Sequence, residues 1–218
     1  PFSATQSAVL VVRDIPTYFR RRSASLPMLS ELVNTLVEAR AGRYLIAFSS
    51  YSYLDAFAQQ HSALGHVFRS QSSADSAADI QAHKDFVLGA TSVVFGVVMG
   101  GSFSESVEFG VGQLSGVIVV GIGLPPPSLQ KDLVAKHFDV SAGPGWGQMV
   151  AYTQPALTKV IQMAGRLVRS EHDRGIICLV DERFLQSQVQ GFLPAHWESK
   201  NVPLQQVKSV VSAFWRMT

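Results

Sequence analysis

Two kinds of block alternate along the chain. The first is a short, nearly continuous run of apolar and β-branched residues, which is typical of strands buried on both faces of a sheet. The second is longer and repeats its apolar residues every three or four positions, which predicts helices with one buried face. The runs of the first kind cover residues 8–12, 44–48, 92–98, 117–121 and 176–180.

The helical blocks lie between these runs and after the last one. In "LPMLSELVNTLVEAR" we expect Ser25 to be the N-cap and Gly42 to stop the helix. Further helices are predicted over 54–60, 79–88 and 129–138, and the tail predicts another that packs back on the domain. The apolar positions of the first helix and of the tail are Leu29, Leu32, Val33, Leu36, Val37, Val207, Val210, Val211 and Phe214.

Strands that alternate with helices predict an α/β fold with a mostly parallel sheet and helices on both of its faces. A composition of 47% apolar and 16% charged residues agrees with an ordered globular chain. No repeat and no linker-like stretch divides the sequence, so we expect a single domain over residues 1–218.

Charge and cysteine content narrow the classes of function. The net charge of +2 does not by itself indicate nucleic-acid binding, and the tight basic cluster is Arg20 to Arg22. The single cysteine, Cys178, excludes an internal disulfide, a four-cysteine zinc site and a cysteine-ligated iron–sulfur cluster within this chain. With no signal peptide, it favours a reducing, cytoplasmic setting. The longest apolar runs are about half of the roughly 20 residues that a membrane span needs, so no membrane partner is expected.

Several motifs of enzyme chemistry are absent. None of the lysines follows a glycine, so the sequence has no G-x-x-x-x-G-K-[ST] phosphate loop. The stretch "GVGQLSG" misses the dinucleotide spacing by one residue, and "GGSFS" lacks the last glycine of a nucleophile elbow. The histidines are dispersed without ligand spacing, so no metal site is predicted.

The stretch "QMAGRLVRSEHDRG", residues 162–175, spaces polar side chains as one helix face would. At about 100° per residue, Arg166 and Arg169 fall near 40° and −20° from Gln162. Gly165 lowers helix propensity by about 1 kcal/mol, which suggests a close approach to the backbone. Two guanidinium forks on one face suit a polyphosphate or a nucleic-acid backbone, although a solvated helix face has the same pattern. The opposite, core-facing side would consist of Leu157, Val160, Ala164 and Val168.

This stretch resembles motif VI of superfamily 2 DNA helicases, in the DinG/XPD-like branch, whose pattern is Q-x-x-G-R-x-I-R-x-x-x-D-x-G. Two other segments resemble motifs of the same branch in the same order: "GRYLIAFSSYSYL" resembles motif IV, and "GGSFSESVEF" followed by "LSGVIVVGIGLPPP" resembles motif V and its following strand. The "DERF" after the last strand resembles the continuation of motif VI. The positions that match motif VI are Gln162, Gly165, Arg166, Arg169, Asp173 and Gly175.

The resemblance implies the second, C-terminal RecA-like motor domain of a bacterial DNA-repair helicase, with a three-layer α/β fold. ATP and Mg²⁺ would be bound mainly by a first motor domain of the same polypeptide, which would also hold the phosphate loop and any iron–sulfur cluster. We therefore expect the isolated domain to be inactive as an ATP hydrolase. Single-stranded DNA would be the other partner.

The resemblance also implies roles for individual residues. Arg169 would be the arginine finger, Arg166 would bind phosphate beside it, and Gln162 would orient the phosphate or the attacking water. Motif V departs from the family pattern at Ser106, where a glycine is usual, and at Glu108, where an aspartate is usual. Further nucleotide contacts are expected from Glu108, Gly165 and Asp173, and DNA contacts from Ser49, Ser50, Tyr51, Ser102, Ser104 and Glu105.

Two other readings of the sequence stay open. The domain could keep the fold but dock DNA or a partner with no motor role. It could also be a free-standing Rossmann-like enzyme acting on a mononucleotide, but that function needs a phosphate loop, which the sequence lacks.

Overall fold

A parallel sheet of seven strands forms the centre of the computed structural model, which describes residues 6–61, 67–101, 103 and 114–217. All described strand pairs are parallel, and the spatial order is β3-β4-β2-β5-β6-β1-β7. The strands are β1 Ser7–Val11, β2 Arg43–Phe48, β3 Phe68–Ser70, β4 Val93–Val98, β5 Gly116–Val120, β6 Gly175–Val180 and β7 Lys200–Asn201.

The five predicted strands are confirmed to within one residue at each end. The two edge strands, β3 and β7, were not predicted. They have only three and two residues, which is too short for a recognisable apolar pattern. The described helices are α1 Arg22–Ala39, α2 Tyr51–His61, α3 Ala77–Gly89, α4 Leu129–Ser141, α5 Trp146–Gln148, α6 Gln154–Ala164, α7 Ser187–Gln190 and α8 Leu204–Arg216.

Successive residues of the five long strands enter two separate hydrophobic cores. Val9 and Val11 pack with the core formed by α3 and α6, whereas Leu10 and Val12 pack with α1, α2 and α8 on the other face. The predicted three-layer α/β arrangement is therefore confirmed, and so is the tail helix, which packs on α1. No helix among the described residues has the length and apolar character that a membrane crossing requires.

The first helix begins earlier than its sequence suggests. A 3₁₀ turn over Phe19–Arg21 leads directly into α1, so Ser25 lies inside the helix and is not its N-cap. The Ser25 side chain is fully buried and donates to the Arg22 carbonyl at 2.6 Å. Gly42 follows the helix and admits close packing, because a Cβ there would lie 2.0 Å from the Ser115 hydroxyl oxygen.

The helix with the motif VI pattern ends earlier than predicted. We expected it to reach Arg169, but α6 stops at Ala164, and Gly165 closes it with an N–H bond to the Ile161 carbonyl at 2.8 Å. Glycine has low helix propensity, so Gly165 disfavours continuation of the helix. The residues that follow form turns, and Val168 is only partly buried against the core.

The carboxyl ends of parallel strands meet at one edge of the sheet, as is usual where α/β folds bind ligands. The loops after β1, β2, β4 and β6 all begin at this edge, which we call the carboxyl edge. It therefore collects the segment that resembles motif IV and the start of the segment that resembles motif V.

Candidate functional site

A basic cleft of about 520 Å³ lies beside α6. Three of its described lining side chains are cationic and none is acidic, so its chemistry suits a polyanion. We call it the basic cleft; its lining residues are Gly100, Lys159, Gln162, Met163, Gly165, Arg166 and Arg169.

Gln162, Arg166 and Arg169 line the same cleft, but one helix face does not bring them together. Gln162 lies in the last turn of α6, and the chain then turns after Gly165, so the two arginines extend from the turns beyond the helix. A Cβ at residue 165 would lie 3.0 Å from the Ile161 carbonyl oxygen. Glycine thus ends the helix at the wall of the cleft.

The turn that holds Arg169 is stabilised by a buried carboxylate. Asp173 is 3% exposed, and its Oδ2 accepts hydrogen bonds from the backbone amides of Arg169 at 2.8 Å and Ser170 at 2.7 Å. The Gln6 side-chain amide donates to the Ser170 and Asp173 carbonyls at 2.7 and 3.0 Å. Asp173 thereby positions the backbone of Arg169, and its expected contact with nucleotide stays a prediction.

Two neighbours of Asp173 attach this turn to the body of the domain. A Cβ at Gly175, the first residue of β6, would lie 2.6 Å from both a Leu167 methyl carbon and the Ser115 carbonyl oxygen. The missing side chain lets the buried Leu167 pack over the sheet. Arg174 donates to the Phe214 carbonyl at 2.6 Å and lies 4.6 Å from the centre of that ring, which joins the turn to α8.

Lys159 is a cleft residue that the sequence motifs did not indicate. Its ammonium nitrogen lies beside Gly100, where a Cβ would be 2.7 Å away, and Gly100 has a φ of +74° that favours glycine. The signal was present, since Lys159 lies three residues before Gln162 and falls near 60° on the same helical projection as Arg166.

At the carboxyl edge, Ser49 and Ser50 link β2 to α2. The Ser50 carbonyl accepts from the Leu54 amide at 3.1 Å, and its hydroxyl accepts from the Tyr53 amide at 3.4 Å, so Ser50 caps α2. Arg22 donates to the Ser49 hydroxyl at 3.0 Å and to the Ser50 hydroxyl at 3.4 Å. Burial lowers the pKa of Arg22 from its usual value, but a guanidinium stays charged at neutral pH. Arg22 is a second residue that the sequence motifs did not indicate.

Tyr51 joins the segments that resemble motifs IV and V. Its hydroxyl accepts from the side-chain amide of the buried Gln71 at 2.9 Å. A Cβ at Gly101 would lie 2.7 Å from that amide nitrogen and 3.2 Å from the Tyr51 oxygen. Gln71 therefore brings the end of the segment that resembles motif IV against the start of the segment that resembles motif V. The remaining predicted residues, Ser102, Ser104, Glu105, Ser106 and Glu108, lie outside the described part of the chain, and their roles stay predictions.

Comparison with known proteins decides the family. The sequence model of the family described as helicase C-terminal domain matches residues 33–200, which is most of the chain. The chain belongs to the helicase C-terminal domain family. The basic cleft and the loops after β2, β4 and β6 lie within the matched region, whereas the loop after β1 precedes it.

Relatives of this helicase C-terminal domain include the ATP-dependent helicase DinG of Mycobacterium tuberculosis. That protein is 28% identical over 207 residues, which make up 92% of this chain and 30% of DinG. The human regulator of telomere elongation helicase 1 is 32% identical over 114 residues, covering 49% of this chain and 9% of that protein. The chain thus spans less than a third of the length of either relative.

Solved structures confirm the fold. An XPD helicase superposes with a TM-score of 0.74 at 20% identity, over 90% of this chain and 35% of that one. The C-terminal domain of the DEAD-box protein Dbp5 gives a TM-score of 0.59 at 13% identity, over 98% and 99% of the two chains. The expected RecA-like fold of a DinG/XPD-like helicase C-terminal domain is therefore confirmed.

Proposed function

We propose that this domain is the second motor domain of an ATP-dependent DNA helicase. It would supply Arg169 as an arginine finger to ATP held mainly by a first motor domain, and it would contact single-stranded DNA along the carboxyl edge. The observation that supports this proposal best is the convergence of Lys159, Gln162, Arg166 and Arg169 on one cleft.

The cleft has the donor set that a triphosphate needs on one side. Guanidinium forks match phosphate oxygens in pairs, and the ammonium of Lys159 adds a compact point charge. The sequence contains no phosphate loop, so the cleft suits half of a shared site better than a complete one. Mg²⁺ would accordingly be bound by the first motor domain and the phosphates.

Each cleft residue then has a distinct task. Arg166 and Lys159 would bind phosphate oxygens, and Gln162 would orient the phosphate or a water molecule. Arg169 would neutralise the charge that develops as the phosphoryl group transfers, an effect worth about 10³–10⁵ in rate for arginine fingers. Asp173 would hold the Arg169 backbone in place before the two domains close, since its hydrogen bonds lie within this domain.

The carboxyl edge suits a phosphate backbone without reading bases. The hydroxyls of Ser49 and Ser50, the guanidinium of Arg22 and the N-terminus of α2 are donors or partial positive charges at one place. Contacts of this kind fix position and carry no sequence information. We therefore propose sequence-independent binding of single-stranded DNA, with Tyr51 held against the motif V segment.

The test is DNA-stimulated ATP hydrolysis by the polypeptide that contains both motor domains. We expect Arg169→Ala to lower kcat about a thousandfold with DNA binding retained. Lys136→Ala, which removes an exposed cation from α4, is the matched control and should leave kcat unchanged. The 218-residue chain alone should show no turnover in the same assay. A loss of less than about tenfold in Arg169→Ala would refute the arginine finger.

A non-motor docking module is the second candidate, and one surface favours it. Helix α4 buries none of its side chains and exposes Leu129, Leu133 and Val140, next to Trp146, which is 52% exposed. An exposed apolar patch often marks an interaction surface. Unchanged ATP hydrolysis in Arg169→Ala, with DNA binding retained, would favour this function over the motor.

A further inference from the structure

The loop from β1 to α1 exposes two adjacent aromatic rings at the carboxyl edge. Phe19 is 80% exposed and Tyr18 is 42% exposed. Single exposed apolar residues are ordinary on protein surfaces, so exposure alone indicates nothing. The neighbours of these rings are what separates them from other exposed side chains.

Each ring has an arginine against it. The guanidinium carbon of Arg22 lies 5.2 Å from the centre of the Phe19 ring, and that of Arg183 lies 4.6 Å from the centre of the Tyr18 ring. Arg22 is also the residue that donates to Ser49 and Ser50. One guanidinium therefore separates the Phe19 ring from the hydroxyls that we propose to contact the DNA backbone.

The charge around Phe19 is mostly positive. Arg20 and Arg21 follow it directly and are both exposed. The carboxylate of the loop, Asp14, accepts from the Leu204 amide at 3.0 and 3.2 Å and so caps α8. After β6, Asp181 is paired with Arg183 at 2.6 Å, while the exposed carboxyl group of Glu182 lies beside Tyr18.

We propose that Phe19 is a stacking platform for one base of single-stranded DNA, and that Arg20 and Arg21 contact the phosphates next to that base. This inference rests on the proposed path of DNA along the carboxyl edge. An exposed ring flanked by arginines fits this ligand because every base has a π face, whereas phosphates alone would not require an aromatic side chain. Binding through this platform is sequence-tolerant.

The experiment is equilibrium binding of the polypeptide with both motor domains to a fluorescent single-stranded oligonucleotide. Because a base stacked on an aromatic ring contributes to affinity, we expect Phe19→Ala to weaken binding roughly tenfold and Phe19→Trp to restore it. Val67→Ala is the matched control, because Val67 is 54% exposed just before β3, at the opposite end of the strands from the carboxyl edge, and it should not change affinity. Arg20→Ala and Arg21→Ala should each reduce the salt dependence of binding by about 0.7 in slope.

A single abasic site moved along the oligonucleotide separates stacking from a structural effect. At one position the abasic site should weaken binding by the native protein but not by Phe19→Ala, because the stacked base is already lost. Equal losses in both proteins at every position would overturn the platform, and so would native affinity in Phe19→Ala.

Failure of the proposed function gives a different result. If the native polypeptide does not bind single-stranded DNA, both the proposed DNA path and the proposed stacking platform are refuted. If Ser49→Ala weakens binding of single-stranded DNA but Phe19→Ala does not, only the stacking platform is refuted. The stacking role would also be overturned if Phe19→Ala abolished binding of a protein partner but left the affinity for single-stranded DNA unchanged.

Discussion

The basic cleft and the carboxyl edge present cations in two different ways. In the cleft, the turn that holds Arg169 is tied by Asp173, Gln6 and Arg174, and Gly175 lets it pack closely on the sheet. At the edge, Arg22 is held by hydrogen bonds to Ser49 and Ser50, but Arg20 and Arg21 lie exposed in the 3₁₀ turn before α1. A group that stabilises a transition state gains from being held in position beforehand, whereas a surface that follows a flexible strand tolerates adjustable side chains. The contrast agrees with the roles that we propose, catalysis in the cleft and binding at the edge.

The largest effect that sharpens this contrast is expected for Arg169→Lys. Lysine keeps the positive charge but loses the planar fork of donors, so we expect kcat to fall about a hundredfold or more. The measurement is DNA-stimulated ATP hydrolysis beside Arg169→Ala. If lysine restores most of the rate, charge alone would be sufficient and the geometry of the turn would matter little.

A smaller effect is expected for Asp173→Ala, which removes the carboxylate and leaves Arg169 in place. Two backbone amides would lose a charged acceptor, so the free energy of unfolding should fall by about 2 kcal/mol and kcat by about tenfold. Urea unfolding measures the change in the free energy of unfolding, and ATP hydrolysis measures the change in kcat.

Cys178 controls for global damage in Asp173→Ala. Burial raises the pKa of its thiol to about 12, so a thiol reagent should not react with it at neutral pH while the sheet is intact. Rapid labelling of the variant would show that the sheet had opened. Unchanged kcat in a protected variant would mean that Arg169 does not depend on this carboxylate.

The smallest effect is expected at the edge, for the double variant Ser49→Ala and Ser50→Ala. A hydroxyl contact at the low end of the usual range contributes about 0.5 kcal/mol, so the loss of both should lower affinity for single-stranded DNA only about fivefold. Oligonucleotide binding measures it, and kcat at saturating DNA should be unchanged. If the double variant lost as much affinity for single-stranded DNA as Phe19→Ala does, the proposed contrast between the edge and the cleft would be wrong.

Much of the site was predictable from the sequence, and the errors have local causes. The periodicity placed Gln162, Arg166 and Arg169 together, and they do line one cleft, although the helix ends at Gly165 and turns complete the arrangement. The pattern assumed that the helix continues, whereas the low helix propensity of glycine and the hydrogen bonds that Asp173 accepts favour a turn.

Arg22 shows a different kind of limit. The sequence placed it in a basic cluster, but its contacts with Ser49 and Ser50 join residues more than twenty positions apart. Those contacts exist because β1 and β2 are parallel and the loops that follow them begin at the same edge. No local pattern contains that information.

The sequence by itself determined the five long strands, the main helices, the α/β class and the order of three motifs, because each depends on spacing within a short window. Only the tertiary structure decided which of these segments meet. Strand order and register bring Lys159 to Gly100, Gln71 to Tyr51 and Gln6 to the carbonyl of Ser170. The physical reason is that side-chain periodicity is local, whereas a site at a sheet edge is assembled by contacts between residues far apart in the chain.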